Sequence, residues 1–308
     1  MSHRANSNFT PDTRYRIRVL LGHLLYRVGA FRRLLPLYAP AQGKLGARCL
    51  AYLDHYLRSV TIAEADLDLA PLGARFACDL NDHMLAPYLR NEAPIYELAE
   101  INFFRQQVRS GDHIIDIGAN HGFWGITLAK AAGTGSQLQL FEANPTIARR
   151  VRRTLSLNPQ VNGRIHELAV TDGTSSQISF YRPQDNLSGL GSTVLHDFAN
   201  ERGYLRADDR IIVHARSIDQ LMDSGDITGM DLVKIDVEQA EDAVVAGAKR
   251  ALTHFKPRLL MVETGTGSNA TRTLLKLGYQ MTALHPDGSE SAAPPDHWGN
   301  LLFRREAA

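Results

Sequence analysis

Apolar and polar positions along the chain follow two different rhythms. Near the start, Ile17, Leu20, Leu21, Leu24, Val28, Phe31 and Leu35 recur every three or four residues, which predicts an amphipathic helix ended by Pro36 and Pro40. From about residue 108 the pattern becomes short apolar runs separated by helical stretches, the alternation of a parallel sheet with crossover helices. Strands are predicted at His113–Ile117, Gln137–Glu142, Arg164–Val170, Leu232–Val237 and Arg258–Glu263. Helices are predicted to begin near His121, Thr146 and Gln239, with another over Asn269–Leu277. Gly133, Asn158-Pro159 and Pro257 supply the stops between them. Gly278 leads into a closing pair, Tyr279–Leu284 and Asn300–Arg304, joined by a loop rich in Pro, Ser and Gly. The change of rhythm divides the chain into a basic, largely helical extension over 1–90 and an α/β domain over 91–308.

Composition adds little until it is resolved along the chain. Lys plus Arg number 34 against 33 Asp plus Glu, a net charge of +1 that gives no whole-protein field favouring nucleic acid. Residues 1–60, by contrast, are rich in Arg and hold only Asp12 and Asp54 as acids. Residues 14–35 therefore read as a helix packed on its own domain or on a second copy of the chain, or as one lying on an anionic membrane surface. Cys49 and Cys78 lack metal-ligand spacing and read as free thiols of a reducing compartment. Gly22, His23 and Arg27 interrupt the run a signal peptide needs, and no stretch reaches the roughly 18 apolar residues of a membrane span. The expectation is a cytoplasmic protein, peripheral at the inner face of a membrane if the basic helix binds there.

In an open parallel sheet, ligands sit beyond the carboxyl ends of the strands where the strand order reverses. The first strand ends in Asp116, followed by Gly118-Ala119-Asn120-His121-Gly122; the second ends in Glu142-Ala143-Asn144-Pro145. Glu142 falls 20 residues after Gly122, where an acid accepts hydrogen bonds from the hydroxyls of an adenosine ribose. Nicotinamide dinucleotides and S-adenosylmethionine both carry that ribose. A dinucleotide brings a pyrophosphate, which calls for G-x-G-x-x-G and a helix start free of anions. Here the spacing is G-x-x-x-G behind a carboxylate, which repels phosphate and suits the ammonium and sulfonium charges of S-adenosylmethionine.

"DIGANHG", "FEANP", "AVTDG" and "VKIDVEQAE" resemble, in order, the motifs of the FkbM family of S-adenosylmethionine-dependent methyltransferases. The resemblance runs from about residue 95 to residue 303 and implies a class I, Rossmann-like fold, mostly parallel with an antiparallel last strand. It further implies that Asp116, Gly118, Asn120 and Gly122, with Ala119 between them, line the methionine and ribose. Glu142 would bind the ribose hydroxyls, with Asn144 beside it, and Asp172 would lie near the adenine. One departure stands out: the family usually reads D-V-E-G-x-E, and this chain has Gln239 in place of that glycine.

Asp236 and Glu238 alternate at a strand end, so both point to one side if the strand persists, with Lys234 one step deeper. Carboxylates concentrated at a switch point read as a base, a metal ligand or a hydroxyl anchor. The expected catalytic set is Asp236 or Glu238 as the base that accepts a hydroxyl proton, with Glu263 orienting the acceptor. A divalent ion held by these acids would lower the acceptor's pKa, but their spacing alone does not require one and none is assigned. Glu241 suits a helix start. Asn186–Thr193 has the content of a mobile loop that folds over the acceptor. Arg149, Arg150, Arg152 and Arg153 form the solvated face of an amphipathic helix, with Ile147, Val151 and Leu155 behind them. His121 reads as a helix-start or ligand contact, and Phe123 and Trp124 as core or adenine-flanking rings.

The leading expectation is an O-methyltransferase using S-adenosylmethionine on a hydroxyl of a sugar, glycolipid or natural product. The rivals are a nicotinamide-dependent oxidoreductase and a non-catalytic scaffold docking through its basic helix. Nucleic acid is disfavoured as acceptor, because Asp-Val-Glu stands where Asn-Pro-Pro-Tyr would hold a base.

Overall fold

The computed structural model describes residues 64–80, 82–89, 92–183, 188–195 and 205–305. The expected helix over Ile17–Leu35, the basic segment around it and Cys49 lie outside these residues. The elements in chain order are β1 (Glu64–Leu69), β2 (Ala74–Asp79), α1 (Ala86–Leu89), α2 (Leu98–Arg105), β3 (His113–Ile117), α3 (Phe123–Ala132), β4 (Gln137–Glu142) and α4 (Pro145–Leu157). They continue with β5 (Gly163–Glu167), β6 (Ala169–Val170), β7 (Gln177–Pro183), β8 (Leu205–Arg216), α5 (Ile218–Asp223), β9 (Leu232–Ile235), α6 (Glu241–Ala246) and α7 (Lys249–Phe255). The last are β10 (Leu259–Gly265), α8 (Asn269–Lys276), β11 (Gln280–Leu284), β12 (Glu290–Ser291) and β13 (Trp298–Arg304).

One sheet runs in the order β12-β11-β13-β10-β9-β3-β4-β5. β5, β4, β3, β9 and β10 are mutually parallel, and β13 inserts antiparallel beside β10. That is the order and the reversed last strand of a class I methyltransferase, and it puts the topological switch point between β3 and β9. Alternate residues of the central strands feed two cores: Ile114, Leu138 and Leu140 pack on one face, and Ile115, Ile117 and Phe141 on the other. Burial on both faces explains why these strands read as near-continuous apolar runs.

Three features depart from the predicted pattern. Arg164–Val170 is not one strand: Gly163–Glu167 pairs with β4, while Ala169–Val170 leaves the sheet to pair with β8. β7 and β8 form a hairpin above the sheet that the sequence pattern does not announce, since β8 is half exposed and carries Arg206, Asp208, Asp209 and Arg210. The described part of the expected extension contains the antiparallel hairpin β1–β2 as well as helix α1, and Leu67, Phe76 and Cys78 of the hairpin enter the same core as Trp124 and Ile126 of α3. Cys78 is a buried free thiol, and burial holds it in the protonated form by raising its pKa.

The arginine face of α4 is solvated as expected, except at Arg150, and it also makes ion pairs. Arg150 reaches Glu64 at 2.9 Å and the buried Asp79 at 3.0 Å, and Arg153 makes two bonds to Asp66 at 2.8 and 2.7 Å. Arg152 pairs with Glu167 at 3.3 Å. The face that resembles a polyanion patch thus fastens the hairpin to the domain.

Candidate active site

The donor loop is shaped first by chain meeting chain. Gly118 has φ 79°, and a Cβ there would lie 1.7 Å from the carbonyl oxygen of Asp236, so no side chain fits. The N–H groups of Gly118 and Ala119 both donate to Phe141 O, at 3.0 and 2.9 Å, pinning the loop to the end of β4. Gly122 enters α3 at φ 75°, where a Cβ would come within 2.9 Å of Ile126. The two glycines are therefore needed to clear the end of β9 and α3, and Gly118 also lines the cleft.

A cleft opens beyond this loop, lined by Gly118–His121, Glu142, Leu168–Val170 and Asp236–Glu238 among others. Glu142 stands at its edge with Oε2 accepting Asn120 N–H at 3.0 Å and Oε1 accepting Asn144 N–H at 2.7 Å. Each oxygen keeps a lone pair for a ribose hydroxyl. Asn144 acts one step back, capping α4 through Thr146 N–H at 3.0 Å. The buried Oδ1 of Asn120 and Nδ1 of His121 have no partner among the described residues, which leaves two polar atoms for a ligand to satisfy. His121 is stacked on Phe123 and held by the buried Asp82 at 3.2 Å. Trp124 packs edge-on against Phe104 in the core, with its indole edge reaching the cleft wall.

Four expected cofactor contacts fall outside the cleft lining: Gly122 and Asn144, which shape the loop and cap α4, and Asp116 and Asp172. Asp116 lies beneath the cleft and does not line it; its Oδ2 accepts Gly125 N–H of α3 at 3.0 Å. Its register partner on β9 is Lys234, so its charge meets that ammonium rather than the ligand. Asp172 is exposed and accepts the N–H of Thr174 at 3.0 Å and its hydroxyl at 2.8 Å, closing its own turn. Leu168, Ala169, Val170 and Phe180 supply an apolar wall where Asp172 was expected.

Lys234 is the centre of the site's charge. It is buried, with Nζ 2.6 Å from Glu97 and 3.1 Å from Asp236. Burial opposes its charge, but Glu97, Asp236 and Asp116 hold its pKa well above the ordinary value. Glu97, 137 positions away on the start of α2, is invisible as a partner in the sequence. Beyond Lys234 the carboxylates of Asp236, Glu238 and Glu263 converge, with one oxygen of each within 4.8 Å of the others. Such oxygens suit a divalent ion, but Asp236 already has a cation in Lys234. Glu263 is pushed up to about 10 by the charge of Asp236 and then by burial, so it is protonated at neutral pH. Glu238 is raised to about 8 by burial and then by Asp236 and Glu241. Glu241 opens α6 and accepts Val237 N–H at 3.0 Å. The loop after β7 covers the cleft: Ser192 Oγ donates to Glu238 O at 2.5 Å and Ser188 lies 3.4 Å from His121.

Glu238 and Gln239 both adopt left-handed backbone, at φ 53° and 72°. The second is the position where the related motif carries glycine, and a side chain there costs about 1–2 kcal/mol. Gln239→Gly is expected to stabilise the chain by about 0.5–1 kcal/mol after glycine's greater freedom in the unfolded state is offset. Urea unfolding checks this; unchanged or lower stability would mean the Gln239 side chain makes compensating contacts.

Burial is the largest cause of the raised pKa at Asp116 (about 6), Glu142 (about 7) and Glu238 (about 8). A carboxyl whose folded pKa is raised contributes full stability below its unfolded value and loses it as pH climbs through the folded value. The free protein is therefore expected to lose stability between pH about 5 and 8. A cationic donor favours the ionised forms of the two that line the cleft, Glu142 and Glu238, so its affinity should rise between pH about 6 and 8, by up to about tenfold per pH unit for each proton released. Calorimetry with S-adenosylmethionine at several pH values tests this; an affinity flat with pH would refute it.

A model of the methyltransferase FkbM domain matches residues 116–281. The 2-O-methyltransferase NoeI of Sinorhizobium fredii is 28% identical over 208 residues, covering 62% of this chain and 78% of that protein. The crystal structure of methyltransferase FkbM from Methylobacillus flagellatus aligns at 17% identity and a TM-score of 0.37 over 74% of this chain, which spans only 62% of that one. TYW2 of M. jannaschii in complex with AdoMet aligns at 13% identity and a TM-score of 0.41 over 79% of this chain and 87% of its own. The match sets aside the oxidoreductase and scaffold readings. No helix among the described residues is long and apolar enough to cross a membrane. With more than half its length matched by the family model and the strand order of the fold intact, the chain belongs to the FkbM family of S-adenosylmethionine-dependent methyltransferases.

Proposed function

We propose that the protein methylates a hydroxyl of a sugar, glycolipid or natural-product acceptor, with Glu238 accepting the hydroxyl proton. The observation that carries this is Glu238 itself: a carboxyl at the cleft edge with its pKa raised to about 8. A base matched to ambient pH is the most effective one and contributes about 10²–10⁴-fold. When bound, S-adenosylmethionine supplies an electrophilic methyl group on a sulfonium. Glu142 and the loop Gly118–Asn120 hold its adenosine end, so that positioning can contribute about 7–11 kcal/mol. Asp236 remains paired with Lys234. Protonated Glu263, hydrogen-bonded to Asp236, keeps its other oxygen to accept from a hydroxyl of the acceptor while Glu238 takes the proton of the reacting one. The relative NoeI is named for 2-O-methyl transfer, which is oxygen chemistry.

Labelled methyl transfer into a pool of cell-extract glycans and metabolites, followed by mild alkali, tests the reading. An alkali-stable methyl ether is the expected product; methyl esters or N-methyl groups would refute it.

A further inference from the structure

A second groove adjoins the donor cleft and shares Tyr96 and Glu97 with it. Its far wall is built by the antiparallel pair β10–β13, in which Glu263 stands opposite Asn300 and Gly265 opposite Trp298. Residues two apart on a strand share a face, so Trp298 and Asn300 lie on one side of the sheet, as do Gly265 and Glu263. Gly265 leaves room for the indole: a Cβ there would come within 3.3 Å of Trp298 Cε3. The ring thus lies over bare backbone, and Trp298 remains 55% exposed. Across the groove Tyr96 is 48% exposed. These are two of the few large apolar side chains that the described surface leaves to solvent, and both line this groove.

The polar groups between the two rings are equally selective. Glu263, raised to about 10, shares its proton in a hydrogen bond with Asp236 and offers its other oxygen as an acceptor at neutral pH. Asn300 adds an amide that both donates and accepts, and His297 a ring nitrogen. No lysine or arginine among the described residues lines the groove, and the charge of Glu97 is already met by Lys234. An anionic acceptor such as a uronate or a nucleotide would meet no counter-charge here. A neutral pyranose ring matches on every count: its C–H faces stack on aromatic rings, and its hydroxyls both donate and accept.

We infer that this groove is the acceptor subsite, and that Trp298 and Tyr96 grip a neutral saccharide whose target hydroxyl projects past Glu263 toward Glu238. The inference rests on the hydroxyl-transfer reading above and narrows it to one acceptor class. Trp298 determines specificity here and lies outside the donor cleft, whereas Tyr96 lines both.

The test is labelled methyl transfer by the full chain into a neutral oligosaccharide fraction, a uronate-containing oligosaccharide fraction and a phenolic fraction of one extract. Label is expected in the neutral oligosaccharides. Trp298→Ala is then expected to raise KM for that fraction by about tenfold, the loss of one stacked face, with kcat nearly unchanged. Trp298→Phe should restore most of the affinity. S-adenosylhomocysteine binding, measured by calorimetry, should be equal in all three proteins, which separates a subsite defect from misfolding. Transfer only to phenols, or only to uronate-containing saccharides, overturns the saccharide subsite and leaves hydroxyl transfer standing. An unchanged KM in Trp298→Ala overturns it as well. Label found only on amines or as esters, or none in any fraction, overturns both readings together.

Discussion

Replacing Glu238 with glutamine is expected to lower kcat by about 10²–10⁴-fold while S-adenosylhomocysteine still binds within about threefold of the parent. The substitution keeps size and left-handed backbone, at φ 53°, and removes only the ability to accept a proton. In the parent, turnover should rise with pH through about 8, because the base must be ionised and the pKa of Glu238 lies there. In Glu238→Gln that inflection should vanish. Asp236→Asn is the informative companion. Asp236 is the largest cause of the raised pKa of Glu263, so its removal should let Glu263 ionise at lower pH and disturb acceptor orientation. Stopped assays across pH 6–10 with a known acceptor decide the matter; unimpaired turnover in both variants would end the assignment of a carboxylate base.

Lys234→Met should cost about 3–5 kcal/mol of stability at neutral pH, since it leaves buried carboxylates without their cation. Glu97 at 2.6 Å and Asp236 at 3.1 Å lose their partner, and Asp116 loses its register neighbour. The loss should depend on pH in a defined sense. Burial already raises the pKa of Glu97 and Asp116 and Lys234 lowers it, so without the lysine both folded values rise further above their unfolded ones. Their contribution is intact in acid and disappears as pH rises through the raised values. The gap between variant and parent should therefore be small near pH 5 and widest near pH 8. Urea unfolding at both pH values measures it, and an equal loss at the two would mean that Lys234 acts through packing alone. The double variant Glu97→Gln, Lys234→Met should recover part of the loss, because one buried charge is gone.

The central strands were readable because burial on both faces leaves a continuous apolar run that no other element needs. His113–Ile117 and Gln137–Glu142 agree with the structure at both ends for that reason. β1 carried a legible signal, since Glu64, Asp66 and Asp68 alternate strictly with Ala65, Leu67 and Leu69, but it lay within a stretch read as helical. The pair β7–β8 was not readable, because Arg206, Asp208, Asp209 and Arg210 break the apolar alternation of β8. β6 departs from β5 because its hydrogen bonds go to β8, a choice made by a strand more than 30 residues downstream.

The candidate site divides in the same way. Glu142, Asn120, Asp236 and Glu238 sit where motif spacing put them, since a strand end and its following loop are set by local sequence. Asp116 and Asp172 belong to motifs too, yet the fold turns one under the floor and the other into solvent.

By itself the sequence determined the order of the central strands in the chain, the loops that follow them and the family those loops mark, all consequences of short-range patterning and turn chemistry. Tertiary structure alone decided which charges meet. Lys234 meets Glu97 and Asp116 from two other elements beside its chain neighbour Asp236, and Tyr96 and Trp298 line one groove. Electrostatic energy depends on distance in space and on burial. Sequence separation reports neither.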